Sequence, residues 1–214
     1  MTGGRSDTPF APDTFFRQAA ARLRSEPPAA GEAVSGDHWL NPGHVPQANT
    51  RYKDAAVLIP VVARQPQAAV ILTLRTASLR DHSGQIAFPG GKIGPEDGGP
   101  ATTALREAEE EIGLPPSSVT IVGYLDAYLT GTGFRVVPVV GRVEPDHPLA
   151  LNPEEVEAAF EVPLSFLMSP ENHRVGSREF RGVSRHFYEM PFGDRYIWGA
   201  TAGIIRALYE RVFD

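Results

Sequence analysis

Glu107, Glu110 and Glu111 stand at i, i+3 and i+4 within a run of good helix formers, so a helix through them carries all three carboxylates along one edge. On a bare helix each such like-charge pair costs roughly a few tenths of a kcal/mol. A hard divalent cation among them turns the repulsion into coordination. Magnesium, or manganese in its place, takes oxygen ligands from a few carboxylates and completes its shell with water and substrate phosphate. Arg106 lies four residues before Glu110, the spacing for a charge-assisted hydrogen bond that pins that carboxylate. Upstream, Gly90-Gly91 allows a backbone approach that side chains would block, which suits a loop that aims the acidic edge and admits a substrate. It is not a Walker loop, because Lys92 is followed by Ile93 and the required upstream glycine position holds Ile86. A run of glutamates taken alone more often marks a solvated face; the glycine loop before it and the Arg-Glu pair at its start point to chemistry instead.

Periodicity identifies the elements that must position these groups. Pro100 suits a first helical position and Gly113, followed by Pro115, stops the run, which predicts a helix of about three to four turns. Ala101, Ala104, Leu105, Ala108 and Ile112 form its buried side. Two apolar runs, Ala55–Val62 and Ala68–Leu74, read as adjacent buried strands. The second delivers Arg75 and Arg80 to the loop before the glycines, where a planar guanidinium can grip phosphate. His82 can donate to a phosphate there or simply support the loop, and Gln85 is a further candidate contact. Val119–Tyr124 and Phe134–Val140 read as further strands, and Leu151 to Glu157 as the opening of a short helix. Near the start of the chain, Thr14 to Arg24 reads as a helix capped by Asp13, followed by irregular connection over Ser25 to Thr50. Near its end, Phe187–Met190 reads as a strand, and Tyr196 to Thr201 as the start of a closing helix. The core face of that helix is Ile204, Ile205, Leu208 and Val212. The arginines between Arg174 and Arg185 read as solvated, with phosphate contact as the alternative. Trp198 reads as packing in preference to substrate stacking.

Arg106-Glu107-Ala108-Glu109-Glu110-Glu111-Ile112-Gly113-Leu114 resembles the second half of the Nudix box, the signature of hydrolases that cut a nucleoside diphosphate linked to another moiety. The first half departs from the usual spacing. One residue is inserted between Gly91 and Arg106, so that Asp97 or Glu96 takes the upstream acidic place. Leu72-Thr73-Leu74-Arg75, Leu79-Arg80, Gly84 and Phe88-Pro89-Gly90-Gly91 resemble the additional signature of the coenzyme A pyrophosphatase branch, with Ile71 and Thr76 as mild departures. The resemblance implies an α/β Nudix fold, an α/β/α sandwich around a central mixed β-sheet, which agrees with strands on both sides of the acidic helix. It also implies Mg²⁺- or Mn²⁺-dependent hydrolysis of the diphosphate of coenzyme A, or of its thioesters, to 4′-phosphopantetheine and adenosine 3′,5′-bisphosphate. On this pattern the metal site is Glu107, Glu110 and Glu111. The catalytic carboxylates are Glu110, Glu111 and Glu155, the last as the candidate from a later loop. The substrate contacts are Arg75, Arg80, His82, Gln85, Gly90 and Gly91. Two alternatives stay open: a Nudix hydrolase of another nucleoside diphosphate derivative, such as ADP-ribose or a dinucleotide, and a non-catalytic module that binds a nucleotide or protein partner.

Composition narrows the field further. A chain of 214 residues with 42% hydrophobic content suits one domain with decorations. We expect an N-terminal helix and irregular Pro/Ala-rich extension over 1–50, then a single domain over 51–214. The net charge is −6 and no dense basic tract occurs, so neither nucleic acid nor a membrane surface is an expected partner. The absence of cysteine excludes disulfides, thiolate metal sites and cysteine nucleophiles. Ser83 lacks the glycines of a nucleophile elbow, and no His-Glu-x-x-His motif occurs. The first residues lack the apolar core of a signal peptide, and no stretch approaches the ~20 apolar residues of a membrane helix. A cytoplasmic location and a small-molecule substrate are therefore expected, and a homo-oligomer is neither required nor excluded.

Overall fold

The computed structural model describes residues 8–30, 32, 35–41, 51–77, 83–180 and 182–214. Arg80 and His82 lie outside the described residues. In chain order the elements are α1 (Pro12–Arg22), β1 (Ser35–Gly36), β2 (Lys53–Val62), β3 (Ala69–Arg75), β4 (Ile86–Ala87), β5 (Gly90–Lys92), α2 (Pro100–Ile112), β6 (Val119–Tyr124), β7 (Tyr128–Leu129), β8 (Phe134–Val143), β9 (Val156–Pro163), α3 (Leu164–Leu167), β10 (Arg174–Phe180), β11 (Val183–Phe192), β12 (Arg195–Trp198) and α4 (Ala200–Phe213).

Strands β1 to β9 make one mixed sheet, and β10 to β12 a smaller antiparallel one. β2 and β8 run parallel from Lys53 opposite Phe134 to Val62 opposite Val143. β3 meets β2 only at the Val61–Val62 end and then leaves it. The gap so opened is filled by β4, which pairs with β3, and by β5, which pairs with β2. This splay carries the glycine loop into the middle of the sheet. β9 pairs with β3 from Ala69 to Arg75, which places it on the opposite edge of β3.

Helices cover both faces. Ala56, Leu58, Val62 and Ile71 form a core with Ala104, Ala108 and Ile112 of α2. The alanines allow close approach of the helix to the strands, as their spacing predicts. Ala55, Ile59, Val61 and Leu72 face a larger core with Phe15 and Phe16 of α1 and Ile204, Ile205, Leu208 and Val212 of α4. Phe15 is fully buried and stacks on Phe213 with ring centroids 6.3 Å apart; burying one such side chain contributes about 1.5–3 kcal/mol. No described helix is long and apolar enough to cross a membrane.

Three local expectations need correction. α1 starts at Pro12 with Ala11 as its N-cap, so Asp13 lies inside the first turn and does not cap it. Residues 153–155 form a turn and Val156 onward is strand β9, where a helix was expected. Its pairing with β3 overrides the helix-start signal of Pro153, Glu154 and Glu155. The segment before the last helix is strand β12 through Trp198, and α4 begins only after Gly199, whose φ of 63° breaks the extended run.

Candidate active site

α2 spans Pro100 to Ile112 and ends on Gly113 in the left-handed conformation, the stop that its sequence signals. Its consecutive turns aim Glu107 and Glu111 at the glycine loop. The Glu111 side chain is 2% exposed. One of its oxygens accepts the Gly90 N–H at 3.2 Å, and the other accepts Nη1 of Arg75 at 3.1 Å. Glu107 occupies the space that Gly91 leaves open, since a Cβ on Gly91 would lie 2.4 Å from the Glu107 carboxyl carbon. A Cβ on Gly90 would instead lie 2.4 Å from the carbonyl oxygen of Ala56. Both glycines are therefore close-approach positions, one against the sheet and one against an acid.

Arg106 holds this edge together. Its guanidinium donates to Glu110 at 3.0 Å, pairs with Glu107 at 2.9 Å, and reaches both oxygens of Asp97 at 3.1 Å. Asp97 also accepts the Gly94 N–H at 2.8 Å and the Thr103 hydroxyl at 2.9 Å. The Arg106 guanidinium, then these two donors, hold the Asp97 carboxyl well below the usual carboxylate range. Asp97 thus fills the upstream acidic place in sequence as the anchor of Arg106. Glu110 stays on the rim with its side chain 54% exposed. Of the three glutamates on the helix edge, the structure brings Glu107 and Glu111 together at the glycine loop and leaves Glu110 outside it.

Glu155 arrives from the turn before β9. The Thr76 N–H donates to the Glu155 carbonyl at 3.0 Å, and the Asn152 N–H donates to the Glu111 carbonyl at 3.0 Å. The turn is thereby fastened both to the end of β3 and to the last turn of α2. Gln85 closes the other side, its carbonyl accepting the Arg75 N–H at 3.0 Å. Asn152 and Thr103 carried no sequence signal for these positions, whereas the inserted residue had marked Asp97, with Glu96 as the alternative.

Burial pushes the Glu111 carboxyl up to about 7; Arg75 and the Gly90 N–H oppose the rise, and the charges of Glu107 and Glu155 add to it. Glu107 is raised too, chiefly by burial, with Arg106 opposing and Glu110 and Glu155 adding. Among the described residues, no three acidic or histidine side chains gather closely enough to hold an ion alone. Two mutually repelling, poorly solvated carboxylates do fit a magnesium or manganese ion whose shell water and substrate phosphate would complete.

The chain matches the Nudix domain over residues 51–181. It is 42% identical over 166 residues to the uncharacterized Nudix hydrolase NudL of Escherichia coli K12, a stretch covering 76% of this chain and 86% of that relative. The NudL of Shigella boydii is equally similar, 42% identical over 166 residues. A MutT/nudix family protein from Enterococcus faecalis shares the fold at a TM-score of 0.50 and 16% identity, over 81% of this chain and 66% of that one. A Nudix domain matched over more than half of the chain, together with relatives this similar across most of their length, shows that the chain belongs to the Nudix hydrolase family.

Proposed function

We propose that this Nudix hydrolase cleaves the diphosphate of coenzyme A, or of its thioesters, to 4′-phosphopantetheine and adenosine 3′,5′-bisphosphate. One observation carries the reading: the two motifs that define it in sequence touch. Arg75 and Gly90, from the stretch that resembles the coenzyme A pyrophosphatase signature, both hydrogen-bond to Glu111 of the Nudix helix.

Glu107 and Glu111 are the residues that would hold the divalent ion, with Glu110 at the rim. Bound there, the ion supplies charge neutralisation at the phosphoryl oxygens and a lowered pKa for the attacking water. Gly90 and Gly91 hold the loop backbone against β2 and against Glu107, which sets the acidic edge beside the place assigned to the diphosphate. Arg75 keeps one nitrogen on Glu111, and the exposed part of its guanidinium is assigned to a phosphate oxygen. Arg80, His82 and Gln85, from the same loop in sequence, are assigned to further phosphate contacts. Of the candidate bases, Glu155 is the best placed. Both oxygens of Glu111 already accept hydrogen bonds and Glu110 is tied to Arg106, whereas Glu155 accepts a long 3.4 Å hydrogen bond from the Asn152 amide and sits close enough to act on the charge of both Glu107 and Glu111.

Incubation with coenzyme A and Mg²⁺ in H₂¹⁸O, followed by mass analysis of both products, tests the reading. We expect the two named products, with the label on one phosphate, and slower turnover of 3′-dephospho-coenzyme A and ADP-ribose. Clear preference for ADP-ribose would assign the site to another nucleoside diphosphate derivative. Tight binding without hydrolysis in Mg²⁺ or Mn²⁺ would make the chain a binding module.

A further inference from the structure

The small sheet has two unlike faces. Strand register puts Arg174 opposite Glu189, Gly176 opposite Phe187 and Arg178 opposite Arg185, and it puts Glu189 opposite Trp198 and Pro191 opposite Tyr196. Because side chains alternate along a strand, these residues share one face. Ring contacts confirm it: Phe187 lies edge-on to Trp198 at 5.3 Å, and Tyr196 stacks on Trp198 at 6.3 Å. The other face is the core face, with Met190 and Ile197 fully buried and Tyr188 beneath Arg206 of α4.

The first face thus carries three arginines and three aromatic rings in a chain whose net charge is −6. Its one acid, Glu189, already accepts the Tyr196 hydroxyl. Elsewhere Arg64, Arg106, Arg142, Arg206 and Arg211 each pair with a carboxylate. Arg174, Arg178 and Arg185 pair with no carboxylate among the described residues, and Nε of Arg185 is closed off from solvent with no partner among them. Gly176 lets the Glu189 carboxylate and the Phe187 ring lie close over β10, since a Cβ there would lie 2.6 Å from the carboxylate and 3.1 Å from the ring. Rings set among unpaired guanidinium groups match a ligand with a flat base and a phosphate. The sheet that carries this face adjoins β4, the strand that leads into the glycine loop. β12 packs against β4, and just past its end the Thr201 hydroxyl donates to the Ile86 carbonyl at 2.9 Å.

We infer that the outer face of β10–β12 seats the phosphorylated nucleoside end of the diphosphate substrate, the base against Tyr196 and Trp198 and the phosphate on Arg178 and Arg185. The inference rests on the coenzyme A reading for the identity of that nucleoside, adenosine 3′-phosphate.

The chain has two tryptophans, Trp39 and Trp198, so Trp39→Phe leaves Trp198 as the sole indole reporter. Metal-free Trp39→Phe protein is titrated with adenosine 3′,5′-bisphosphate while Trp198 emission is followed. Saturable quenching is expected, weakened about 10-fold or more by Arg178→Ala with Arg185→Ala, as for lost charge-assisted hydrogen bonds. The same pair of changes should raise KM for coenzyme A by about 10-fold and leave kcat within about 2-fold, the mark of binding lost equally in ground and transition states. Unchanged emission, or equal binding by the variants, overturns the assignment, as does a response to single-stranded nucleic acid alone. If coenzyme A is hydrolysed while the titration is silent and KM is unchanged, only the face assignment fails. If coenzyme A is not hydrolysed, the coenzyme A reading fails, and the bisphosphate titration still decides whether the face binds a nucleotide.

Discussion

The acidic edge of α2 and the outer face of β10–β12 both crowd like charges together, and they do so in opposite ways. On the helix nearly every charge is tied: Arg106 to Asp97, Glu107 and Glu110, and Glu111 to Arg75 and the Gly90 N–H. On the sheet, Arg174, Arg178 and Arg185 have no carboxylate partner among the described residues. Tied charges are held in one geometry before any ligand arrives, which is what a reacting centre needs. Untied guanidinium groups remain able to adapt to a ligand, as a surface that holds a remote part of it requires.

The largest expected effect that bears on this contrast comes from pH. In the folded protein the Glu111 carboxyl rises from 4.5 to about 7, so the fold favours its protonated form. That contribution is fully present below about pH 4.5 and is lost as pH rises through about 7, amounting to at most about 3 kcal/mol. Metal-free wild-type protein should therefore lose more stability between pH 5 and pH 8 than Glu111→Gln does, as read by urea melts at each pH. Parallel profiles would mean that Glu111 is not strained. Next come the two glycines. Gly91→Ala pushes on the end of a side chain and should cut turnover about 10–100-fold, as for a displaced metal-site group, with little change in melting temperature. Gly90→Ala pushes on the β2 backbone and should destabilise the fold by about 1–3 kcal/mol. Similar behaviour in the two variants would erase the distinction drawn between them. The smallest effect is the most direct comparison of the regions. Arg106→Ala should cost about 1 kcal/mol and Arg178→Ala less than about 0.5, measured by chemical denaturation.

Where local signals and tertiary context agree, the sequence is legible. Pro100 and Gly113 bound α2 as observed, and Val119–Tyr124 is a strand end to end, because cap chemistry and apolar runs are local. β10 escaped notice because Arg174, Ser177, Arg178 and Glu179 make it polar, and only its pairing with β11 reveals it. β9 was hidden by acids that mimic a helix start. In the site, the helix spacing brought Glu107 and Glu111 forward but could not separate them from Glu110. That separation comes from the direction of approach of Gly90 and Gly91, a relation between segments that no spacing records. The hold of Glu110 on Arg106 follows the i,i+4 spacing, whereas that of Asp97 is a product of the folded loop.

Glu107 and Glu111 converge at the glycine loop, where they would hold a divalent ion. Calorimetric titration of Mn²⁺ into wild-type, Glu107→Gln, Glu111→Gln and Glu109→Gln proteins, without substrate, tests this directly. The prediction is binding weakened by about 10-fold or more in the first two variants and unchanged in Glu109→Gln. Equal affinity across all four proteins would contradict it.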